Sequence, residues 1–408
     1  MHQGTAPRGL ARRSRSLVAA FVLTASGFTG PAAAQDLAGR ASIELTGWVQ
    51  APLYPEQQRA DVSLMLSPEL AMEWAGQRLL VTPFVRWDRA DPERTHWDVR
   101  ELLWEYDAPG NWELRAGVGR VFWGVTEFQH LVDIINQTDF VENIDGEDKL
   151  GQPMVHVGLF RPWGTLDLFV LPGFRTRTFP GSGGRPQFPL PLRPDLAAFE
   201  SSAGRGHLDV AARWSHVLGP ADIGLAYFRG TSREPRFVVG NDAGTSPVLI
   251  PHYDQIDQAS LDLSWVAGAW LWKLELLNRH SAAERFSALT GGIEYTLYGV
   301  AGGSADVGLL LDYAWDERGR FGQNPFNDDV FAGSRLALND VSGTELLSGL
   351  GLDRRTGAGF VTVEGSRRLG SHWRAHLEVR GFFAVPPTDF LYPLRGDDSV
   401  RLELERFF

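Results

Sequence analysis

The residues that could form a catalytic or metal site are scattered along the chain. The 408 residues include ten His and no Cys, so thiol enzymes and thiolate metal sites are excluded. No HExxH, GxSxG or GxxxxGKS/T pattern occurs, and these are the common local patterns of metalloproteases, hydrolases and nucleotide-binding proteins. Nothing in the sequence brings together the remaining candidates, His156, Ser215, His216, His372 and His376. We therefore predict no catalytic residue and no cofactor.

Charged residues alternate with apolar ones over many segments, as in HWRAHLEVRG at residues 372–381. Successive side chains of a β-strand point to opposite faces, so such segments form strands with one apolar and one charged face. We expect the charged faces to surround water. The predicted wall of mixed charge contains Arg86, Arg115, Arg213, Lys273, Arg279, Arg335, Arg374, Arg380, Glu44, Glu113, Glu275 and Asp312. One interpretation is that these charges create an electric field across the interior that selects polar solutes. The alternative is that the charges only neutralise one another in a water-filled interior and select nothing.

A long segment, GVTEFQHLVDIINQTDFVENIDGEDKLGQP, mixes apolar with acidic side chains. Because its apolar groups would be costly to expose, we predict that residues 121–152 fold into the interior as a constriction or plug, partly helical and facing arginines of the opposite wall. The predicted constriction residues are Glu127, His130, Asp133, Asp139, Glu142 and Asp145. The alternative is an external loop packed on its neighbours. The NIDGEDK stretch lacks the ligand spacing of a recognised calcium loop, so no metal is predicted.

The elements that would position these residues are strands with period-2 patterning. About 18 candidate strands occur, several of them nine or more residues long, which is the length that a tilted membrane strand needs. Segments 95–106 and 344–353 have the weakest patterning, so 16 strands is the alternative. Short turn-forming connections alternate with long ones, and the long ones are predicted near residues 121–152, 175–205, 230–255, 316–328 and 385–397. An even strand count with this alternation is typical of an outer-membrane barrel.

The first residues have the three-part layout of a secretory signal peptide. Four Arg precede an apolar stretch at residues 17–28, and small residues follow at 32–34. The apolar stretch is too short to span a bilayer, so we expect cleavage after Ala34. Residues 1–34 are then a signal peptide, and residues 35–408 form a single domain.

Composition agrees with a membrane barrel. The formal net charge of −11 argues against nucleic acid as a partner. Mean hydropathy is only −0.17, yet the chain contains 14 Trp and 24 Phe. Amphipathic strands with interfacial aromatic residues produce this combination. We predict an all-β fold, a transmembrane antiparallel up-and-down β-barrel.

The final segment, RLELERFF, alternates into Phe408, with Leu402 and Leu404 on the same face. The chain resembles Gram-negative outer-membrane porins in this signal for the barrel-assembly machinery, although Arg406 replaces the apolar residue usual two places before the final Phe. GRVFWG at 119–124 and DIINQTD at 133–139 resemble porin-like families of the alginate-export and substrate-specific type.

This resemblance implies a channel for small polar or charged solutes in the outer membrane, in contact with lipid and lipopolysaccharide. A plugged, non-conducting barrel that serves as an export partner, lipid-handling component or surface protein is the alternative. Homo-oligomerisation, which is common among porins, is left open.

Overall fold

The structure, a computed structural model, describes residues 34–242, 246–322 and 324–408. Eighteen antiparallel strands form one closed barrel, in which every strand pairs with its neighbours along the chain and the last pairs with the first. The predicted count of 18 is confirmed, and the alternative of 16 is wrong. The predicted signal peptide lies outside the described residues apart from Ala34.

The barrel strands are longest near the amino terminus. The first seven are β1 (Ala34–Trp48), β2 (Ala60–Trp74), β3 (Gln77–Asp88), β4 (His96–Ala108), β5 (Trp112–Gly119), β6 (Gln152–Arg161) and β7 (Gly164–Pro172). The next six are β9 (Leu208–Leu218), β10 (Ala221–Thr231), β13 (Gln255–Ala267), β14 (Trp270–Ser281), β15 (Arg285–Leu297) and β16 (Asp306–Asp316). The last five are β17 (Asp328–Ala337), β18 (Glu345–Asp353), β19 (Gly359–Leu369), β20 (Trp373–Phe383) and β21 (Ser399–Phe407).

Three short strands lie outside the barrel wall. They are β8 (Ala198–Phe199), β11 (Arg236–Asp242) and β12 (Ser246–Tyr253), and they form a separate sheet from two long connections. The helices among the described residues are 3-10 turns of three residues each, and none of them is long or apolar enough to cross a membrane. Their bounds are Pro194–Leu196, Gly204–Gly206, Val300–Gly302, Gly319–Phe321 and Tyr392–Leu394.

The two ends of the barrel differ. One end holds short turns, such as residues 75–76 and 162–163, together with the start of β1 and the end of β21. The other end, the long-loop end, holds longer connections that include residues 120–151, 173–207 and 384–398. This asymmetry matches the predicted alternation and is that of outer-membrane barrels.

The outer face of the barrel is an apolar belt. Leu45 and Leu402 face each other across the β1–β21 seam, and both are about half exposed on the outside of the barrel. Exposed apolar side chains of this kind occur on strand after strand, which is favourable against lipid and costly in water. Arg406 also lies in this region, with its guanidinium 5.6 Å from the ring centre of Trp373. The belt therefore accommodates the charge at the position where the resemblance fails.

Residues 120–151, which we call the lumen segment, lie inside the barrel. Val132, Ile134 and Ile135 are buried against the inner faces of β6, β7, β9, β10 and β13 in one apolar core. The core also contains Trp123, Met154, Phe169, Leu171, Ala211, Phe228 and Ile256. The segment thus fills the part of the lumen next to these strands.

The lumen segment contains no α-helix, so the predicted partial helix is wrong. The two ends of the segment are instead held together by Asn136, whose amide donates to the carbonyls of Gly119 at 2.9 Å and Leu150 at 2.8 Å. The Asn136 side-chain oxygen accepts from the N–H of Val121 at 2.8 Å. A buried amide therefore satisfies backbone groups that a helix would have satisfied internally.

Candidate functional site

A carboxylate of the far wall anchors the first half of the lumen segment. Glu275 on β14 is fully buried, and its Oε1 accepts from the N–H groups of Val125 at 2.7 Å and Thr126 at 3.0 Å. Its Oε2 accepts from the N–H of Val132 at 3.2 Å, and the Thr126 hydroxyl lies 2.8 Å from Oε1. Hydrogen bonds to a charged acceptor are the strong ones. Because β14 stands six strands from β5 around the wall, this contact carries the segment across the lumen.

Phe128 fixes the tip of the segment on β17 and β18. Its ring stacks on that of Phe331 with centroids 4.9 Å apart. Gly349 faces inward below this ring, and a Cβ built there would lie 2.6 Å from it. Glycine is therefore required at this position for the ring to approach the wall.

Two ion pairs join the segment to the near wall. Arg86 Nε donates to Glu142 at 2.7 Å, and Arg100 lies 2.6 Å from the carboxylate of Asp139. Burial alone would raise the pKa of Asp139, but His96 and Arg100 outweigh it and hold that pKa at about 2. Asp139 is therefore a permanent anion that binds the segment to β4.

Further pairs join the segment to the far wall. Glu127 lies 2.7 Å from Arg335 on β17 and 3.5 Å from Lys273 on β14. Asp145 lies 2.8 Å from Arg380 on β20. The lumen segment is thus held by charges on both sides of the barrel, as a fixed element.

Two cavities lie on opposite sides of the segment, next to the part of the wall that it leaves uncovered. The short-turn cavity, about 460 Å³, is lined by the segment, β1–β3 and β17–β21. The long-loop cavity, about 480 Å³, is lined by the segment, β18–β20 and the long connections. Both are lined by Glu127, Leu347 and Glu364, so they adjoin at this point. We call these three residues the throat.

The free charges at the short-turn cavity are negative. Each lining arginine is already in an ion pair, namely Arg40 with Glu405, Arg86 with Glu44 and Glu142, Arg335 with Glu127, and Arg401 with Glu44 and Glu378. By contrast, Glu345, Glu364 and Glu403 have no ion-pair partner among the described residues. The field in this cavity is therefore set by unpaired carboxylates.

Asp148, in the lumen segment, adds an acid that titrates near neutral pH. Its side chain is open to the lumen, and its enclosure by the barrel raises its pKa, as do the nearby carboxylates of Asp145 and Glu142. The resulting pKa is about 6. The negative charge beside the short-turn cavity, which Asp148 lines, consequently depends on pH in the physiological range.

The structure separates the predicted wall residues into two groups. Arg86, Arg335 and Glu44 line the short-turn cavity, and Arg380 lines the long-loop cavity. The other members line neither of these cavities; they are Arg115, Arg213, Lys273, Arg279, Arg374, Glu113, Glu275 and Asp312. Several of them form ion pairs within the wall instead. Arg213, for example, pairs with Asp262.

The predicted constriction residues are likewise divided. Glu127 and Glu142 line the short-turn cavity, while His130 and Asp145 line the long-loop cavity together with Glu127. Asp139 is buried in its pair with Arg100. Asp133, whose side chain is covered, lies 3.0 Å from Lys149 within the segment itself.

Among the residues that the structure describes, two groups of acidic and imidazole side chains have donor atoms close enough to hold a metal ion. One is His96, Asp139 and Glu142, and the other is Glu113, His156 and Asp167. In the first group, guanidinium groups already occupy the place of a cation, since Arg100 binds Asp139. In the second, His156 Nε2 lies 2.8 Å from Asp167. Both arrangements are explained as ion pairs and hydrogen bonds of the wall.

Several residues of the site were not predicted from the sequence. Arg94 binds Glu44 at 2.7 Å from a connection rather than a strand, and Leu347 belongs to the throat although it is apolar. Asn136 lies in the DIINQTD motif, but the backbone groups that its side chain binds lie outside that motif. Inward-facing glycines such as Gly349 were the sequence signal that could have indicated where the lumen segment contacts the wall, because a glycine in a strand often marks a close approach by another group.

The comparisons with known proteins agree with this geometry. The chain is similar in structure to a BenF-like porin from Pseudomonas fluorescens Pf-5, with 10% sequence identity and a TM-score of 0.53 over 92% of this chain and 98% of that one. It is also similar to Pseudomonas aeruginosa OccK2 (OpdF), with 12% identity and a TM-score of 0.54 over 92% and 97%. No protein-family model matches the chain, and no curated protein matches its sequence.

These similarities establish the fold, which is porin-like as the sequence resemblance predicted. Closed barrels with an apolar outer face are the β-structures that span membranes, because every backbone group is paired and no sheet edge is exposed. The closed barrel and its apolar belt together place this chain in an outer membrane.

Proposed function

We propose that this protein is an outer-membrane channel that passes small polar solutes, with a preference for cations. The route runs from the long-loop cavity, past the throat, into the short-turn cavity along β17–β21 and β1. The lumen segment narrows this route and blocks the opposite half of the lumen. In this proposal the chain acts as a channel rather than an enzyme.

One observation carries the proposal. The two cavities adjoin at Glu127, Leu347 and Glu364, and the unpaired charges beside them are carboxylates. A water-filled passage lined by uncompensated negative charge concentrates cations and excludes anions. The arginines of the wall do not reverse this preference, because each arginine of the short-turn cavity is neutralised by a partner.

Export and insertion follow from the same proposal. Residues 1–34 direct secretion and are removed, the long connections face the outside, and the barrel-assembly machinery recognises the strand that ends at Phe408. The partners are then outer-membrane lipid, lipopolysaccharide and the transported solute.

The test is single-channel recording of the purified protein in planar bilayers with a KCl gradient. We expect steady conductance and a reversal potential that indicates cation preference. A variant in which residues 125–150 are replaced by a short Gly/Ser linker should conduct more, because the blocked half of the lumen opens. Absence of conductance in both proteins, despite heat-modifiable folding of each, would overturn the channel and favour a plugged barrel that serves a partner.

A further inference from the structure

The long-loop cavity has an aromatic wall above the throat. The rings of Phe128 and Phe326 lie 4.9 Å and 5.1 Å from that of Phe331, and Phe360 lies 6.1 Å from it. Phe128, Phe326 and Phe360 line the cavity, whereas Phe331 is buried behind them. The four rings form one packed surface, so each is held in place by its neighbours.

A second apolar surface belongs to the long connections. Phe140 and Phe188 line the same cavity, and both pack on Phe179 at 6.0 Å and 6.2 Å. Phe390 and Leu391 complete the lining from the connection between β20 and β21. A purely polar solute would gain nothing from these surfaces, whereas an apolar group would bury area on either side.

The charges that line this cavity compensate one another with one exception. Three of the four lining carboxylates have basic partners, namely Glu127 with Arg335, Asp145 with Arg380, and Glu147 with His130. Burial alone would lower the pKa of His130, but the contact with Glu147 raises it and so favours the protonated ring. Glu364 has no ion-pair partner among the residues that the structure describes, and its carboxylate accepts one hydrogen bond, from the Thr362 hydroxyl at 3.3 Å. The uncompensated charge of the cavity is therefore a single carboxylate at its floor.

The apolar surface and this carboxylate are close enough for one small molecule to contact both. The Phe128 ring lies against Gly349, which is opposite Thr362 across the β18–β19 pair. Thr362 and Glu364 are on the same face of β19, about 7 Å apart along the strand. A phenyl group with a cationic centre two or three bonds away matches this separation.

We propose that the long-loop cavity binds organic monocations that have an aromatic or alicyclic body and a nearby ammonium group. The apolar body packs between the two phenylalanine surfaces, and the ammonium group binds the carboxylate of Glu364. Aromatic anions of the same shape are rejected, since they meet an unpaired carboxylate at the throat. The inference rests on the proposed channel and assigns its solute class.

Binding to the detergent-solubilised barrel is measured by calorimetry with three probes. They are 2-phenylethylammonium, ethylammonium, which lacks the ring, and 3-phenylpropanoate, which has the ring and the opposite charge. We expect 2-phenylethylammonium to bind about tenfold more tightly than either of the others, because only this probe uses both the apolar surface and the carboxylate. Equal binding of the first two probes would overturn the aromatic assignment.

Three variants locate the site. Glu364→Gln should weaken 2-phenylethylammonium binding about five- to tenfold, because the amide keeps the shape but loses the charge. Phe382 lies opposite Phe360 across the β19–β20 pair and lines the same cavity, so it extends the first aromatic surface. Phe382→Leu should weaken 2-phenylethylammonium binding about threefold and leave ethylammonium binding unaffected. Glu345→Gln is the matched control, since Glu345 is an unpaired carboxylate that lines only the other cavity. A loss in Glu345→Gln equal to that in Glu364→Gln would refute the site.

The binding measurement and the conductance measurement test the two proposals independently. A barrel that conducts KCl but does not distinguish the three probes refutes this inference and leaves the channel intact. A barrel that binds 2-phenylethylammonium through Glu364 but conducts no ions refutes the channel and retains the binding site.

Discussion

Removing the Glu275 carboxylate should release the first half of the lumen segment while the barrel stays closed. In Glu275→Ala, the N–H groups of Val125, Thr126 and Val132 lose their acceptor. Hydrogen bonds to a charged group contribute about 1.5–3 kcal/mol each. Since two of the three share one oxygen and lumen water partly replaces the acceptor, we expect a cost of about 3–5 kcal/mol for this local contact.

That cost has a direct readout in hydrogen exchange. At about 1.4 kcal/mol per factor of ten, a loss of about 3 kcal/mol raises the open population of the segment roughly 150-fold. Amide exchange at residues 125–132 should accelerate by this factor, while exchange in β1 and β21 stays slow. Glu275→Gln keeps one acceptor oxygen and should have a smaller effect, with only the Val132 contact and the charge lost.

Glu113→Ala is the control for this experiment. Glu113 is also an inward carboxylate, but its partner is Arg115 on the same strand, 3.1 Å away. This variant should leave exchange in the lumen segment unchanged. Unchanged exchange in Glu275→Ala as well would refute the reasoning that the wall carboxylate anchors the segment.

The other predictions concern charge, packing and assembly. Because the raised pKa of Asp148 is about 6, its negative charge is lost as pH falls through that value, so cation preference should decrease between about pH 7 and pH 5. Asp148→Asn should flatten this dependence of reversal potential on pH. Gly349→Ala places a Cβ against Phe128 and should destabilise the folded barrel by about 1–3 kcal/mol in thermal gel-shift assays. Gly47→Ala, where nothing lies within 4 Å, should have little effect. Deletion of Phe408 should reduce outer-membrane assembly without reducing export, and normal assembly in pulse–chase fractionation would contradict this role.

The barrel itself could be predicted from the sequence because lipid and water impose opposite demands on alternate residues. β4 was among the weakest predicted strands for a specific reason. The register between β3 and β4 shifts at Thr82 and Pro83, so that Arg100 is an extra residue on β4. Asp98 and Arg100 are buried inside before the shift, and Leu103 is buried inside after it. The alternation changes phase within the strand, which hides it from a period-2 pattern.

β18 was weakly predicted because its charged inward residues, Glu345 and Asp353, stand only at the two ends of the strand. Gly349 and Gly351 face inward beneath aromatic rings, and Leu347 faces inward at the throat. The lumen segment posed a different problem. Its apolar and acidic composition indicated that it must be buried, but not which side chains would bind its backbone N–H and C=O groups. That role belongs to Asn136 and Glu275, and Glu275 is far away in sequence. Such contacts depend on the closed barrel and have no local sequence signature.

The seam between β21 and β1 has a consequence for biogenesis. Arg401 and Glu403 of the last strand line the short-turn cavity together with Arg40 and Glu44 of the first. The passage proposed above is therefore incomplete until β1 and β21, the two ends of the sheet, pair with each other. Before β1 and β21 pair, the barrel would lack both a continuous wall against lipid and the complete set of charges beside the proposed passage. Closure of the wall and the onset of the proposed ion preference are therefore one step in the maturation of the protein.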